Sequence, residues 1–308
     1  MTNLLTTPQK DNVGRGIAFV LLAVLIFSTQ DAATKYLVTH HVSPFLMTMM
    51  RFWAFAAFSL VLVMRAGPLR QAFRSKQPIL QLLRGPLLVV DIWAFVLATK
   101  ALHLDEVQAV VLVYPLLVTL IAIPILGEKV GIFRLGAVFV GFLGALLIVR
   151  PGGVPLDWGV GFAVLSGACY ALYLVLTRKV SSTDSTTTSM FYTGVVGLVV
   201  SSSVGMFFWQ PLDTTSMLLI GYIMVTGVAA HGLMIVALSM APASVLQPFN
   251  YTSLPWSIAF SFFLFQHPVD PMTLLGAAII VGAGLVVMAR ERSKNVAGGA
   301  GPELPGKE

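Results

Sequence analysis

Of the chain's 308 residues, 57% are hydrophobic and only 10% are charged, and the mean hydropathy is +0.87. A water-soluble domain does not have that composition, so the chain reads as an all-α integral membrane protein embedded in a lipid bilayer. Its net charge of +6 is carried mostly by Lys and Arg beside apolar runs, where charge sets orientation, and this excludes nucleic acid as a partner.

The first 15 residues are polar, and the apolar run after them is too long for a signal-peptide core and lacks a small-residue cleavage site. A bilayer core of about 30 Å needs about 20 residues per helix. Ten such spans fit, at about 16–37, 45–64, 80–98, 106–127, 131–150, 157–178, 189–209, 217–238, 244–265 and 272–290. Turn chemistry separates them at Val42-Ser43-Pro44, Arg65-Ala66-Gly67-Pro68, Pro151-Gly152-Gly153, Gln210-Pro211 and His267-Pro268-Val269-Asp270-Pro271. The Gly-rich segment 291–308 is expected to be a disordered cytoplasmic tail. The single cysteine, Cys169, lies inside a span and can form neither an intrachain disulfide nor a multi-cysteine metal site.

The chain repeats itself. Pro115 to Arg150 recurs without a gap 140 positions later as Pro255 to Arg290, and Gly16 to Lys35 lies over Gly159 to Arg178 at a spacing of 143. The domains are therefore a cytoplasmic segment 1–15, a five-helix repeat over 16–150, a second over 157–290, and the tail. With the N-terminus inside, 15 of the 19 basic residues fall on the inner side, two on the outer side and two, Lys35 and Arg51, within spans. This predicts both termini in the cytoplasm, and five spans per repeat then make the halves inverted around a central cavity. Pro115 and Pro255, deep in the fourth and ninth spans, are expected to bend those helices beside the cavity. Glycines recur in the fifth span (Gly136, Gly141, Gly144) and the tenth (Gly276, Gly282, Gly284). Their spacing serves close helix packing, either within one subunit or at the seam of a homodimer.

Pro44 to Arg51, the helix end Pro115…Leu126-Gly127-Glu128-Lys129, the closing Leu-Gly-Ala…Gly helices of both halves, and Gln247-Pro248-Phe249-Asn250-Tyr251 together resemble the EamA-type branch of the drug/metabolite transporter superfamily. The resemblance covers about residues 15–292. It implies a basket of helices around a central cavity and a carrier for amino acids, amines, vitamins or related metabolites in a bacterial inner membrane. Export of an amino acid or amine, and uptake of a cofactor such as riboflavin or S-adenosylmethionine, both fit it. Where the family pattern often has Gly-Glu, as at Gly127-Glu128, the second half has Gln266-His267.

Ionisable groups at membrane depth cost about 2.5–3.5 kcal/mol each on insertion scales, so each needs a partner or a function. Asp31 and Lys35 stand four apart on one helix in the favourable order for pairing. Asp31, Arg51 and Asp91 lie at a similar depth, about 10 Å below the outer ends of their spans. Arg51 is read as a structural charge, whereas Asp91 is open to either a structural or a solute-binding role. Tyr170 and Tyr173 share a face of the sixth span with Thr177, and Gln247, Asn250, Tyr251 and Leu254 share a face of the ninth. Such mixed apolar and hydrogen-bonding surfaces suit an amphipathic solute, and equally an aromatic belt or helix contacts. Trp93 and Tyr114 join the solute-site candidates. His231 lies deep in the eighth span, either as a proton relay or as a satisfied buried histidine.

Gly301 to Lys307 fits G-x-x-x-x-G-K, but Glu308 stands where Ser or Thr would bind magnesium and no helix follows, so it is not a phosphate loop. An intramembrane enzyme would need a nucleophile with a base, or clustered metal ligands, at depth. Neither is evident. A carrier without a resident cofactor or metal is the leading expectation, and a purely structural membrane subunit predicts no flux.

Overall fold

A computed structural model of the chain describes residues 13–67, 73–127, 131–148 and 157–298. Residues 1–12 of the N-terminal segment, residues 299–308 of the tail, Pro68, Glu128-Lys129, Arg150 and the Pro151-Gly152-Gly153 turn lie outside the described residues. The described secondary structure is helical throughout, with α1 Val13–Thr39, α2 Pro44–Ala66, α3 Pro78–Ala101, α4 Leu104–Val111, α5 Tyr114–Leu126 and α6 Ile132–Ile148. There follow α7 Trp158–Ser181, α8 Thr186–Gly205, a short 3-10 turn Met206–Phe208, α9 Thr214–Met240, α10 Ala243–Asn250, α11 Ser253–Phe265 and α12 Pro271–Gly298.

Side chains start these helices where the sequence supplies a cap. Asp157 accepts from the amides of Gly159 and Val160, Ser185 from that of Thr188, and Asp213 from those of Thr215 and Ser216. Glu106 reaches back to the His103 amide at 2.8 Å. Gly127 closes α5 in the left-handed conformation at φ 69°, and in the second half Gln266 takes that cap at φ 54° without glycine's freedom. The Gln266-His267 departure thus keeps the turn that Gly127 makes in the first half.

Seven described stretches are long and apolar enough to cross a bilayer: α1, α2, α3, α4 with α5, α7, α8 with its 3-10 turn, and α9. Three shorter apolar stretches, 135–148, 253–265 and 271–286, accompany them. The expected fourth span is interrupted, because α4 ends at Val111 and α5 begins at Tyr114. Pro115 has no N–H for the Val111 carbonyl, and Leu116 and Leu117 instead donate to the Val113 carbonyl, starting the helix afresh. The expected ninth span breaks in the same way between Asn250 and Ser253, two residues before Pro255. The last helix runs to Gly298, eight residues beyond the expected end at Arg290.

The helices pair across the two halves. The most extensive contacts join α3 with α7, α1 with α9, α2 with α8 and α6 with α12. Their buried faces form a main apolar core, which includes Val20, Leu37, Leu88, Leu174, Met234 and Leu238, and two small clusters around Phe55 and Val63. Phe58, Phe139, Val225 and Phe263 point outward, as bilayer-facing side chains do. In the α6–α12 seam the two backbones touch: a Cβ at Gly144 would lie 2.8 Å from the Gly276 carbonyl, and one at Gly276 2.6 Å from the Gly144 carbonyl. These two glycines therefore serve packing within the subunit. Gly276→Val must push a backbone aside, so a loss of about 1–3 kcal/mol is expected. Melting in detergent checks this, with Gly136→Val, where nothing lies within 4 Å, as the neutral control.

Candidate functional site

Between the halves lies a cavity with about 710 Å³ of empty space, part of it open to the surroundings. Phe27, Asp31 and Thr34 of α1 line it along one stripe, with Arg51 of α2, Asp91 and Phe95 of α3, Tyr114 of α5, Ser166 and Tyr170 of α7, His231 of α9, and Asn250 and Ser253 at the α10–α11 break. Both halves contribute, and so do both interrupted helices.

The charges are arranged around Arg51. Its Nη2 lies 3.1 Å from His231 Nε2. Arginine only donates, so Nε2 is the acceptor and the imidazole is neutral with its proton on Nδ1. Gly227 makes room for this, since a Cβ there would come within 2.9 Å of Arg51 Nε. The guanidinium also acts through space on Asp31 and Asp91. Asp91, with 9% of its surface exposed, accepts a 2.6 Å hydrogen bond from Ser166 Oγ. Among the described residues Asp31 accepts no hydrogen bond, and its half-buried carboxylate faces the cavity. Asn250 Oδ1, Arg51 Nε and His231 Nδ1 are buried there without a protein partner.

Aromatic rings continue the wall. Tyr114 meets Tyr170 edge to face at 5.0 Å, and Tyr170 stacks on Tyr173 at 6.1 Å. Tyr173 is fully buried outside the cavity lining, beneath Arg84, whose Cζ stands 5.2 Å from its ring centre. Arg84 donates to Thr177 Oγ1 at 3.0 Å and to Gln81 Oε1, while Gln81 donates to Asp184 and Ser189. This network lies two helical turns from Asp91 along α3, about 10 Å away, and ties α3 to α7 outside the cavity lining. Arg84 escaped the sequence reading because it sits at a span edge, where basic residues are expected anyway.

Four expected site residues lie elsewhere. Lys35 does not pair with Asp31; its Nζ donates to the carbonyls of Thr99 and Leu102, the C-terminal end of α3, where a cation suits the helix dipole. Its repeat counterpart Arg178 makes the same kind of contact, donating to the Leu238 carbonyl near the end of α9 at 3.0 Å. Tyr251 turns toward α12, where a Cβ at Gly284 would fall 2.0 Å from its ring. Trp93 packs edge-on against Phe45 at 5.3 Å, and Tyr173 is covered by Arg84. Phe27, Thr34, Phe95, Ser166, His231 and Ser253 line the cavity without having been named as its binding residues. For Ser166 the signal was available, because it stands four residues before Tyr170 on the same helix face.

Outside the spans, the imidazoles of His103 and His267 stack at 3.5 Å with planes 3° apart, joining the two halves. Burial, then the neighbouring His267, hold His103 below its ordinary histidine pKa. The unfolded chain accordingly takes up a proton near pH 6.5 that the folded chain resists. Stability contributed here is present above that pH and is lost as pH falls through it. His103→Asn should flatten the fall in melting temperature between pH 8 and pH 5; an unchanged slope would remove His103 from the effect.

Comparison with known proteins identifies the family. The model of the EamA-like transporter family matches residues 14–150 and 157–289. An S-adenosylmethionine uptake transporter of Rickettsia prowazekii is 24% identical over 277 residues, which covers 90% of this chain and 93% of the relative. A riboflavin transporter of Rhizobium johnstonii is 27% identical over 295 residues, 94% of this chain and 95% of the relative. One of Vibrio cholerae is 28% identical over 271 residues, covering 87% and 90%. A solved crystal structure aligns with a TM-score of 0.70 at 19% identity over 91% of this chain and 98% of its own, a likeness of fold. The chain is a multi-pass membrane protein that belongs to the EamA-like transporter family.

Proposed function

We propose that the cavity is the transport site of a secondary carrier that moves a small metabolite by alternating access. One observation carries this reading: ionisable and hydrogen-bonding groups from both halves face one space among apolar helices, beside two interrupted helices. Carriers built from inverted repeats hold their solute in that position and expose it by rocking one half against the other. The cross-pairing of α1 with α9 and α3 with α7 is what a two-fold axis between halves produces, and the equivalent helix-end contacts of Lys35 and Arg178 support the same relation. On this reading ten spans form two inverted five-helix repeats, and the chain is not an enzyme. The solutes named for its relatives, S-adenosylmethionine and riboflavin, are the first to test. The direct experiment is flux into proteoliposomes with each solute; loss of flux in Tyr170→Ala with normal melting would tie transport to the cavity.

Orientation follows from the basic residues, with both termini in the cytoplasm of a bacterial cell and the chain in its inner membrane. Reporter fusions after Pro68, Lys129, Lys179 and Arg292 should read cytoplasmic, and those at His41, Gly153 and Asp213 external. A consistent external signal after Pro68 would overturn both the orientation and the inverted relation.

A further inference from the structure

We infer that the cavity selects a solute that combines an organic cation with a planar ring, in preference to a neutral planar one. The inference rests on reading the cavity as the transport site. Two carboxylates, Asp31 and Asp91, face this space, and one arginine answers them from a distance while its direct partner is the neutral ring of His231. Asp91 is held only by a serine hydroxyl, and Asp31 by no hydrogen bond among the described residues. With both carboxylates ionised, the site carries one formal negative charge more than Arg51 can neutralise, in surroundings where an uncompensated charge is costly. A cation between the two carboxylates removes that excess. Tyr114 and Tyr170, 5.0 Å apart and nearly perpendicular, offer ring surface to both a cation and a flat heterocycle. Asn250, 1% exposed with its Oδ1 unpartnered at the cavity wall, supplies a further acceptor for ring N–H groups. A neutral flat solute could use the rings and the amide but would leave the excess charge bare.

The probes are S-adenosylmethionine and S-adenosylhomocysteine, which differ by one methyl group and therefore by the sulfonium charge, with riboflavin as the neutral planar comparison. Binding is measured by calorimetry on the full chain in nanodiscs. Wild-type protein should bind the sulfonium at least about tenfold more tightly than the thioether. Asp31→Asn and Asp91→Asn should each reduce that preference through weaker binding of the sulfonium. Equal binding of the two, or riboflavin bound more tightly than S-adenosylmethionine, overturns the charge selectivity and leaves the transport-site reading standing. If none of the three binds and a wider panel of amino acids and vitamins shows no flux, the transport-site reading fails and takes this inference with it.

Discussion

Asp91→Asn should leave the protein folded and monodisperse while cutting solute flux by about 10- to 100-fold, the equivalent of the roughly 1.5–3 kcal/mol carried by a hydrogen bond to a charged group. The substitution preserves shape, and its remaining oxygen can still accept from Ser166, which now binds the carboxylate at 2.6 Å. What it removes is charge at the cavity wall. Asp31→Asn should act in the same direction, because Lys35 is engaged by the end of α3 and does not compensate Asp31 locally. Normal flux in Asp91→Asn would assign that carboxylate to helix order alone.

Arg51 should behave differently, because its loss is felt first in folding. Arg51→Met leaves Asp31 and Asp91 with no cation acting on them in the cavity and deprives His231 Nε2 of its donor. Removing one partner from a buried charged set costs about 3–5 kcal/mol, enough to prevent recovery of a marginally stable membrane protein. The double variant Arg51→Met with Asp91→Asn should recover part of that loss, since one unpaired carboxylate is removed with the arginine. Comparing melting of the single and double variants checks this. Equal destabilisation in both would show that Arg51 acts through packing against α9 at Gly227.

The sequence carries the apolar helices and the common level of Asp31, Arg51 and Asp91 along their helices, because hydropathy and rise per residue are local properties. Those three residues do line one cavity. Lys35 was misplaced for a reason that no local pattern could reveal: its acceptors are carbonyls 64 and 67 residues away in sequence. Tyr251 was misplaced because the shared-face argument assumes an unbroken helix, and the break after Asn250 resets the phase. Tyr173 shares a helix face with Tyr170, yet three residues along α7 carry it out of the cavity lining and onto Arg84. His231 gains its meaning only from Arg51, 180 residues away.

Alternating access requires that one cavity between the halves be reached from each side of the membrane in turn. A cysteine at Thr34, on the cavity stripe of α1, tests it directly in a Cys169→Ser background. A membrane-impermeant thiol reagent is applied to intact cells and, separately, to inside-out vesicles, with and without transported solute. Labelling from both faces, with protection by solute on both, is the expected result. Labelling from one face only, whatever solute is present, would contradict it.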